Sequence, residues 1–371
     1  MATQVTNYQC PSCGGPLRFS SEKQMLVCDY CGSAFTTKQI EDFYAAKDAE
    51  AALALGNLEH QLDTSGEEIR TEWEYTAGSE WTENMRAYSC PSCGAQIICD
   101  ENTAATSCPY CGNPSIVAGN FTGGLKPDYC IPFKLNKEQA VQALKDYYKG
   151  KVFLPRAFSD NNHIEEIKGV YVPFWLYDGN MDADVSYYAS RSRTWTEGNY
   201  RITRTDHYKL IRSGNVSFER IPVDGSTKMP DEHMDAIEPF DYSELRPFST
   251  AYMPGYLADK YDVDARQSRP RAVGRAERSS LNAMTATTGG YESVTIASSR
   301  FNPHGGQVKY AFLPVWVLNT KWNGENYLFT MNGQTGKLVG NLPVSKGRFI
   351  ATFLGIAAAL FALGSAMIAF M

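Results

Sequence analysis

Eight of the ten cysteines in this 371-residue chain fall into four Cys-x-x-Cys-Gly units. They read Cys10-Pro-Ser-Cys13-Gly, Cys28-Asp-Tyr-Cys31-Gly, Cys90-Pro-Ser-Cys93-Gly and Cys108-Pro-Tyr-Cys111-Gly. Fourteen residues separate the pairs within each half, so C-x2-C-x14-C-x2-C occurs twice. Four thiolates at this spacing form the ligand set of a zinc ribbon, in which each pair folds into a knuckle with both sulfurs on one metal. The glycine after each second cysteine permits the left-handed turn that closes the knuckle. The chemistry predicted is two structural Zn²⁺ per chain, held by Cys10, Cys13, Cys28 and Cys31 and by Cys90, Cys93, Cys108 and Cys111. Four sulfurs close the coordination sphere and leave no position for water or substrate.

A disulfide framework or a redox Cys-x-x-Cys is the competing reading. The N-terminal stretch Met1-Ala-Thr-Gln-Val-Thr-Asn-Tyr8 lacks the charged and apolar regions of a secretory leader, and no βαβ context surrounds the pairs. Cys99 and Cys130 lie outside the pattern and read as small buried hydrophobes.

The elements that position these ligands divide the chain into a first ribbon (1–35), an acidic, partly helical spacer (36–86), a second ribbon (87–120), an α+β domain (121–345) and a C-terminal anchor (346–371). Thr36 and Gln39 form a capping box that opens the spacer helix. Between Lys38 and Arg86 twelve acidic residues face four basic ones. From Gly123 onward, aromatic runs alternate with Gly/Asn turns. Asn136 and Gln139 cap a helix with Val141, Leu144, Tyr147 and Tyr148 on its apolar face, and Asp264 caps a basic helix that Pro270 and Gly274 interrupt. The strand signals Gly169–Tyr177 and Tyr310–Leu318 share a Pro-x-Trp core, which suggests an internal duplication (123–240 and 241–345). Proline inside both strands implies an edge or bulge. Asp178-Gly179-Asn180 and Asn323-Gly324 read as hairpin turns. The fold class expected is α+β: two zinc ribbons, a mixed domain and one C-terminal transmembrane helix.

That last element rests on Phe349–Met371, twenty-three residues without a charge. As a helix they would extend roughly 34 Å, against a hydrocarbon core of about 30 Å. Lys337, Lys346 and Arg348 precede the run, so the positive-inside rule predicts a single-pass inner-membrane protein with its bulk in the cytoplasm. Ala358, Ala362 and Ala366 form a small-residue stripe that would suit self-association of the helix.

With its ribbons, the segment Asn332-Gly-Gln-Thr-Gly-Lys337 and the apolar tail, the chain resembles bacterial membrane proteins described as TFIIB-type zinc ribbon-containing. Similar chains are sometimes labelled primosomal helicase-like. The resemblance implies architecture and location and no reaction. The helicase label has no support, because Gly336-Lys337 is followed by Leu338 and no G-x-x-x-x-G-K-[ST] occurs.

Catalytic patterns are missing: no G-x-S-x-G, H-E-x-x-H or G-x-G-x-x-G is present. The five histidines (His60, His163, His207, His233 and His304) are scattered. His163 with Glu165 and Glu166, and His233 within Asp231–Asp235, read as solvated loops rather than metal sites. Nucleic acid is the serious competitor, through Arg191–Arg212 and Arg266–Arg278. The ribbons themselves carry no excess positive charge, however, and phosphate neutralisation supplies most such affinity. The function expected is a scaffold or adaptor that binds protein partners without catalysis. The alternatives are a tethered nucleic-acid-binding protein and an enzyme housed in the α+β domain.

Overall fold

The computed structural model describes residues 8–55, 74–75, 81, 85–99, 107–114, 116–120, 124–159, 164 and 166–369. The first ribbon is a three-stranded antiparallel sheet of β1 (Leu17–Ser20), β2 (Met25–Cys28) and β3 (Ala34–Phe35), followed by α1 (Thr37–Leu55). The Thr36/Gln39 capping box forms, with the Gln39 N–H donating to Thr36 Oγ1 at 3.2 Å and the Thr36 N–H donating to Gln39 Oε1 at 2.9 Å. Everything else of β character joins one twelve-stranded sheet. Its early members are short: β4 (Glu74–Tyr75), the second-ribbon strands β5 (Arg86–Ser89), β6 (Gln96–Cys99) and β7 (Val117–Asn120), and β8 (Tyr129–Cys130).

After helices α2 (Lys137–Tyr148) and α3 (Arg156–Ser159) come two of the three strands that carry the fold, β9 (Lys168–Glu197) and β10 (Tyr200–Asp224). The remaining elements are α4 (Asp231–Ala236), β11 (Arg246–Pro247), β12 (Leu257–Asp259), α5 (Ala265–Ala286), the third long strand β13 (Ser293–Trp322), β14 (Glu325–Asn332), β15 (Leu338–Gly340) and α6 (Lys346–Ala369). β9 and β13 have 30 residues each and β10 has 25, far beyond the usual 3–10.

Burial explains how such strands are held. The first half of β9 is buried almost without a break, as Val170–Tyr177 is covered on both faces. Beyond Met181 inside and outside alternate, because one face alone is covered there. The cover is α5, where Val185, Tyr187, Ala189 and Leu210 pack with Leu281 and Met284, and the Tyr187 hydroxyl lies 3.1 Å from Thr285 Oγ1. Pro270 and Gly274 do not interrupt α5 as expected; the helix is continuous through both.

The Gly/Asn signals divide into two kinds. Asn323 and Gly324 take φ of +51° and +85° and join β13 to β14 as a tight hairpin. Asp178-Gly179-Asn180 is not a turn. β9 runs straight through it, and both neighbours bulge there, β10 between Phe218 and Ile221 and β13 between His304 and Gly306. The turn lies further on, at Gly198-Asn199. The two strand prolines sit in gaps between neighbours. Pro173 falls between the pairings of β9 with β12 and with β10, and Pro314 between those of β13 with β8 and with β14. A residue without an N–H costs no ladder bond at such a place.

Two expectations are corrected. The fold is dominated by one large β-sheet rather than an evenly mixed α+β domain. The single transmembrane helix at 349–371 is not supported either: among the described residues no helix is long and apolar enough to cross a membrane. A span needs about 20 consecutive apolar residues. The first turn of α6 is bound to the body, with Arg348 Nη1 donating to Leu154 O at 2.6 Å and Phe349 meeting Phe153 edge-on at 5.6 Å. The single-pass inner-membrane placement, its cytoplasmic orientation and the membrane contact through 349–371 rested on that span and fall with it. Of the alanine stripe, the side chains of residues 362 and 366 lie outside the described residues.

Candidate metal centres

Each knuckle is built the same way. A backbone N–H donates to the first cysteine's carbonyl from the glycine four residues on, as in Gly14→Cys10, Gly32→Cys28, Gly94→Cys90 and Gly112→Cys108 at 2.8–3.0 Å. A second bond runs from the first cysteine's N–H to the residue after that glycine, as in Cys10→Gly15 and Cys90→Ala95. All four glycines have φ of 70–74°, so a side chain there would strain the turn.

The knuckles bring the sulfurs together as the spacing predicts. Cys10, Cys13, Cys28 and Cys31 form one group and Cys90, Cys93, Cys108 and Cys111 another, with the ligand atoms of each within 4.8 Å of one another. Cys10–Cys31 and Cys13–Cys28 are 3.5 Å apart, and Cys90–Cys111 and Cys93–Cys108 are 3.6 Å apart. A tetrahedron with Zn–S near 2.3 Å has edges of about 3.8 Å, so each group fits a Zn²⁺ with little movement. Bound there, the ion would cross-link two knuckles and supply no reactive position. All ten cysteines are free of disulfides.

The surroundings act unevenly on the thiols: Cys31 and Cys90 are lowered, whereas Cys13, Cys93 and Cys108 are raised. The Ser33 hydroxyl and backbone N–H pull Cys31 down to about 6. Burial opposes ionisation of Cys90, but the N–H groups of Cys93 and Ser92 outweigh it and bring this thiol to about 7. Burial pushes Cys108 up, so this site depends on a cation for full deprotonation. Cys99 and Cys130 are fully buried, outside both groups.

The two ribbons meet the body differently. The first ribbon docks through its hairpin: the Phe19 N–H donates to Pro254 O at 3.1 Å, the Phe19 ring meets Tyr252 edge-on, and Gln24 Nε2 donates to Phe133 O at 2.7 Å. Its knuckles point outward, and Cys13, Asp29, Tyr30, Cys31 and Gly32 are exposed. The second ribbon docks through its hairpin strand β6 and through its second knuckle. β6 pairs with β12, with Ile97 opposite Asp259, and Cys108, Pro109 and Tyr110 are buried. Lys168 Nζ donates to Ser107 O at 2.6 Å and Asn319 Nδ2 to Tyr110 O.

Behind Tyr110 lies a group that sequence reasoning missed. Asp259 is fully buried, its Oδ2 accepting from the Ser226 hydroxyl at 2.5 Å. Burial raises its carboxyl to about 7 against the pull of Ser226, Tyr110 and Lys228, with Asp262 adding to the rise. The Tyr110 hydroxyl faces this carboxyl, yet neither it nor Asp259 Oδ1 completes a well-formed hydrogen bond. A lone Asp in Leu-Ala-Asp gives no sequence signal.

The described histidines, His207, His233 and His304, join no candidate metal group. His60 and His163 lie outside the described residues, as does Glu165. His233 is buried on α4 rather than on a solvated loop, 3.3 Å from Thr330 Oγ1, and burial lowers its pKa. Among the described residues the cysteine sets are the two groups that could hold a metal.

No family model and no solved structure matches the chain, so the TFIIB-type description has no family match behind it. A relative matches end to end: the protein is 33% identical over 358 residues, 96% of each chain, to the uncharacterized protein YdjG of Bacillus subtilis (strain 168). The chain belongs to the family of that protein, and carries two Cys₄ groups, each of which could hold a zinc ion, on a large β-sheet body.

Proposed function

We propose that the protein is a non-catalytic zinc-ribbon scaffold that binds protein partners, with both ions structural. The observation that carries this reading is the difference in docking between the two ribbons. The second ribbon buries its Cys108–Tyr110 knuckle against the body and pairs β6 with β12, while the first is fixed by its hairpin and leaves both knuckles outward. Closed Cys₄ sets have no open metal position for chemistry.

Four arginines of the arginine-rich stretches are committed within the protein, which favours protein over nucleic acid. Arg271 is engaged by Asp224, Asp231 and Asp235, and Arg275 by Asp235 and Glu238. Arg191 donates to Gly290 O and lies over the Tyr291 ring, and Arg212 donates to Thr287. Guanidinium groups committed in this way are poorly placed to neutralise phosphates.

Affinity purification of the full chain tests the reading. A specific protein should co-purify, and Cys31→Ser, which removes an exposed ligand of the first site, should abolish its recovery. Nuclease-sensitive recovery of nucleic acid with no protein partner would overturn it.

A further inference from the structure

The two Cys₄ groups share one local geometry and differ in how open their sulfurs are to solvent. In the first group Cys13 and Cys31, one from each knuckle, are exposed, and so are their neighbours Ser12, Gly14, Tyr30 and Gly32. In the second group none of the four is exposed: Cys90 and Cys108 are buried, and Cys93 and Cys111 are half-buried. The body makes the difference. Lys168 and Asn319 bind the backbone carbonyls of Ser107 and Tyr110, and Pro109 and Tyr110 are buried together with Cys108. The first ribbon is held instead at Phe19 and Gln24, on its hairpin, away from the exposed sulfurs.

A cysteine sulfur reacts with a peroxide as a nucleophile, and its susceptibility follows its exposure, whereas buried structural cysteines are inert. A second sulfur within reach decides whether the product is a disulfide. Each exposed sulfur of the first group has such a partner on the other knuckle: Cys31 lies 3.5 Å from Cys10, and Cys13 lies 3.5 Å from Cys28. Cys99 and Cys130, outside both groups, are fully buried and take no part.

We infer that the first Cys₄ group is a site of reversible oxidation by peroxides, and that the second, shielded by the body, is not. The thiolate of Cys31 or Cys13 attacks one peroxide oxygen, the O–O bond breaks, and a sulfenic acid and a hydroxide form. The thiolate of Cys10 or Cys28 then attacks that sulfur, the S–O bond breaks, and a disulfide and a second hydroxide form. Two sulfurs have lost two electrons in total, the peroxide has been reduced, and two protons from solvent turn the hydroxides into water. A group with two of its four sulfurs tied in a disulfide no longer holds an ion, so the outward knuckles open while the body stays closed. This inference goes beyond the scaffold reading and stands independently of it.

The test uses the full chain loaded with two zinc ions and treated with hydrogen peroxide. Zinc release is followed with a chromogenic chelator, and disulfides are mapped by mass spectrometry. One equivalent of zinc should be released at least about tenfold faster than the other, together with a Cys10–Cys31 or Cys13–Cys28 disulfide. Dithiothreitol and added zinc should restore the starting content. Cys31→Ser should lack the fast equivalent, which assigns it to the first group. Equal release of both equivalents, no release in excess peroxide, or a disulfide mapped first to Cys90, Cys93, Cys108 or Cys111 would overturn the inference and leave the scaffold reading standing. A native chain without zinc at the outset would overturn this inference and the metal assignment together.

Discussion

Asp259→Asn should stabilise the protein above neutral pH, by an amount the structure sets. The carboxyl is fully buried, is raised to about 7, and has one oxygen without a complete hydrogen bond. The groups around it are Ser226 and Lys228 from the segment after β10, Tyr110 from the knuckle, and Asp262 from the segment after β12. An unfolded aspartate has pKa near 3.9. Between these values the folded state keeps a proton that the unfolded state has lost, so stability falls by about 1.36 kcal/mol per pH unit. The loss begins as pH rises through the unfolded value and is complete once it passes about 7. From pH 5 to pH 8 the native chain should therefore lose roughly 2.7 kcal/mol that the Asn variant keeps. Asn preserves the partner for Ser226 and carries no charge. The assay is urea unfolding of zinc-loaded native protein and variant at half-unit intervals across that range. Taking the difference between the two cancels titration elsewhere, the thiols included. A flat difference would show that Asp259 titrates alike in both states and would refute the buried-acid account.

Three further outcomes concern the packing. Cys108→Ser should unfold much of the sheet body and lower the melting temperature sharply, because structural zinc contributes roughly 10–16 kcal/mol in finger peptides and this ribbon pairs directly with β12; Cys31→Ser should release the first ion while a calorimetric scan still shows the body's transition. Arg271→Ala should cost about 3–5 kcal/mol in chemical unfolding, since it strands Asp224, whose side chain is only 2% exposed; a cost below about 1 kcal/mol would show that this cluster carries little.

The cysteine spacing made both Cys₄ groups legible because knuckle geometry is local: four residues, one left-handed glycine and two backbone bonds suffice. The different docking of the two ribbons was not legible. Tyr30 and Tyr110 look alike in the sequence, and their fates are decided by which face of each ribbon meets the body. Asp178-Gly179-Asn180 misled for a related reason, because turn-forming residues also serve where two neighbouring strands bulge opposite one point. The helix caps at Thr36, Asn136 and Asp264 were readable, being four-residue devices, and all three form. The apolar run after Arg348 suggested a span by composition alone, which does not register that Arg348 and Phe349 bind the start of the helix to Leu154 and Phe153.

The central claim is that each Cys₄ group holds one structural Zn²⁺, and metal analysis of the full chain purified without chelator tests it most directly. The account predicts two zinc ions per chain, falling to one in Cys31→Ser, with X-ray absorption showing four sulfurs near 2.3 Å. A native chain with no bound zinc, or one whose zinc has nitrogen or oxygen neighbours in place of sulfur, would contradict it.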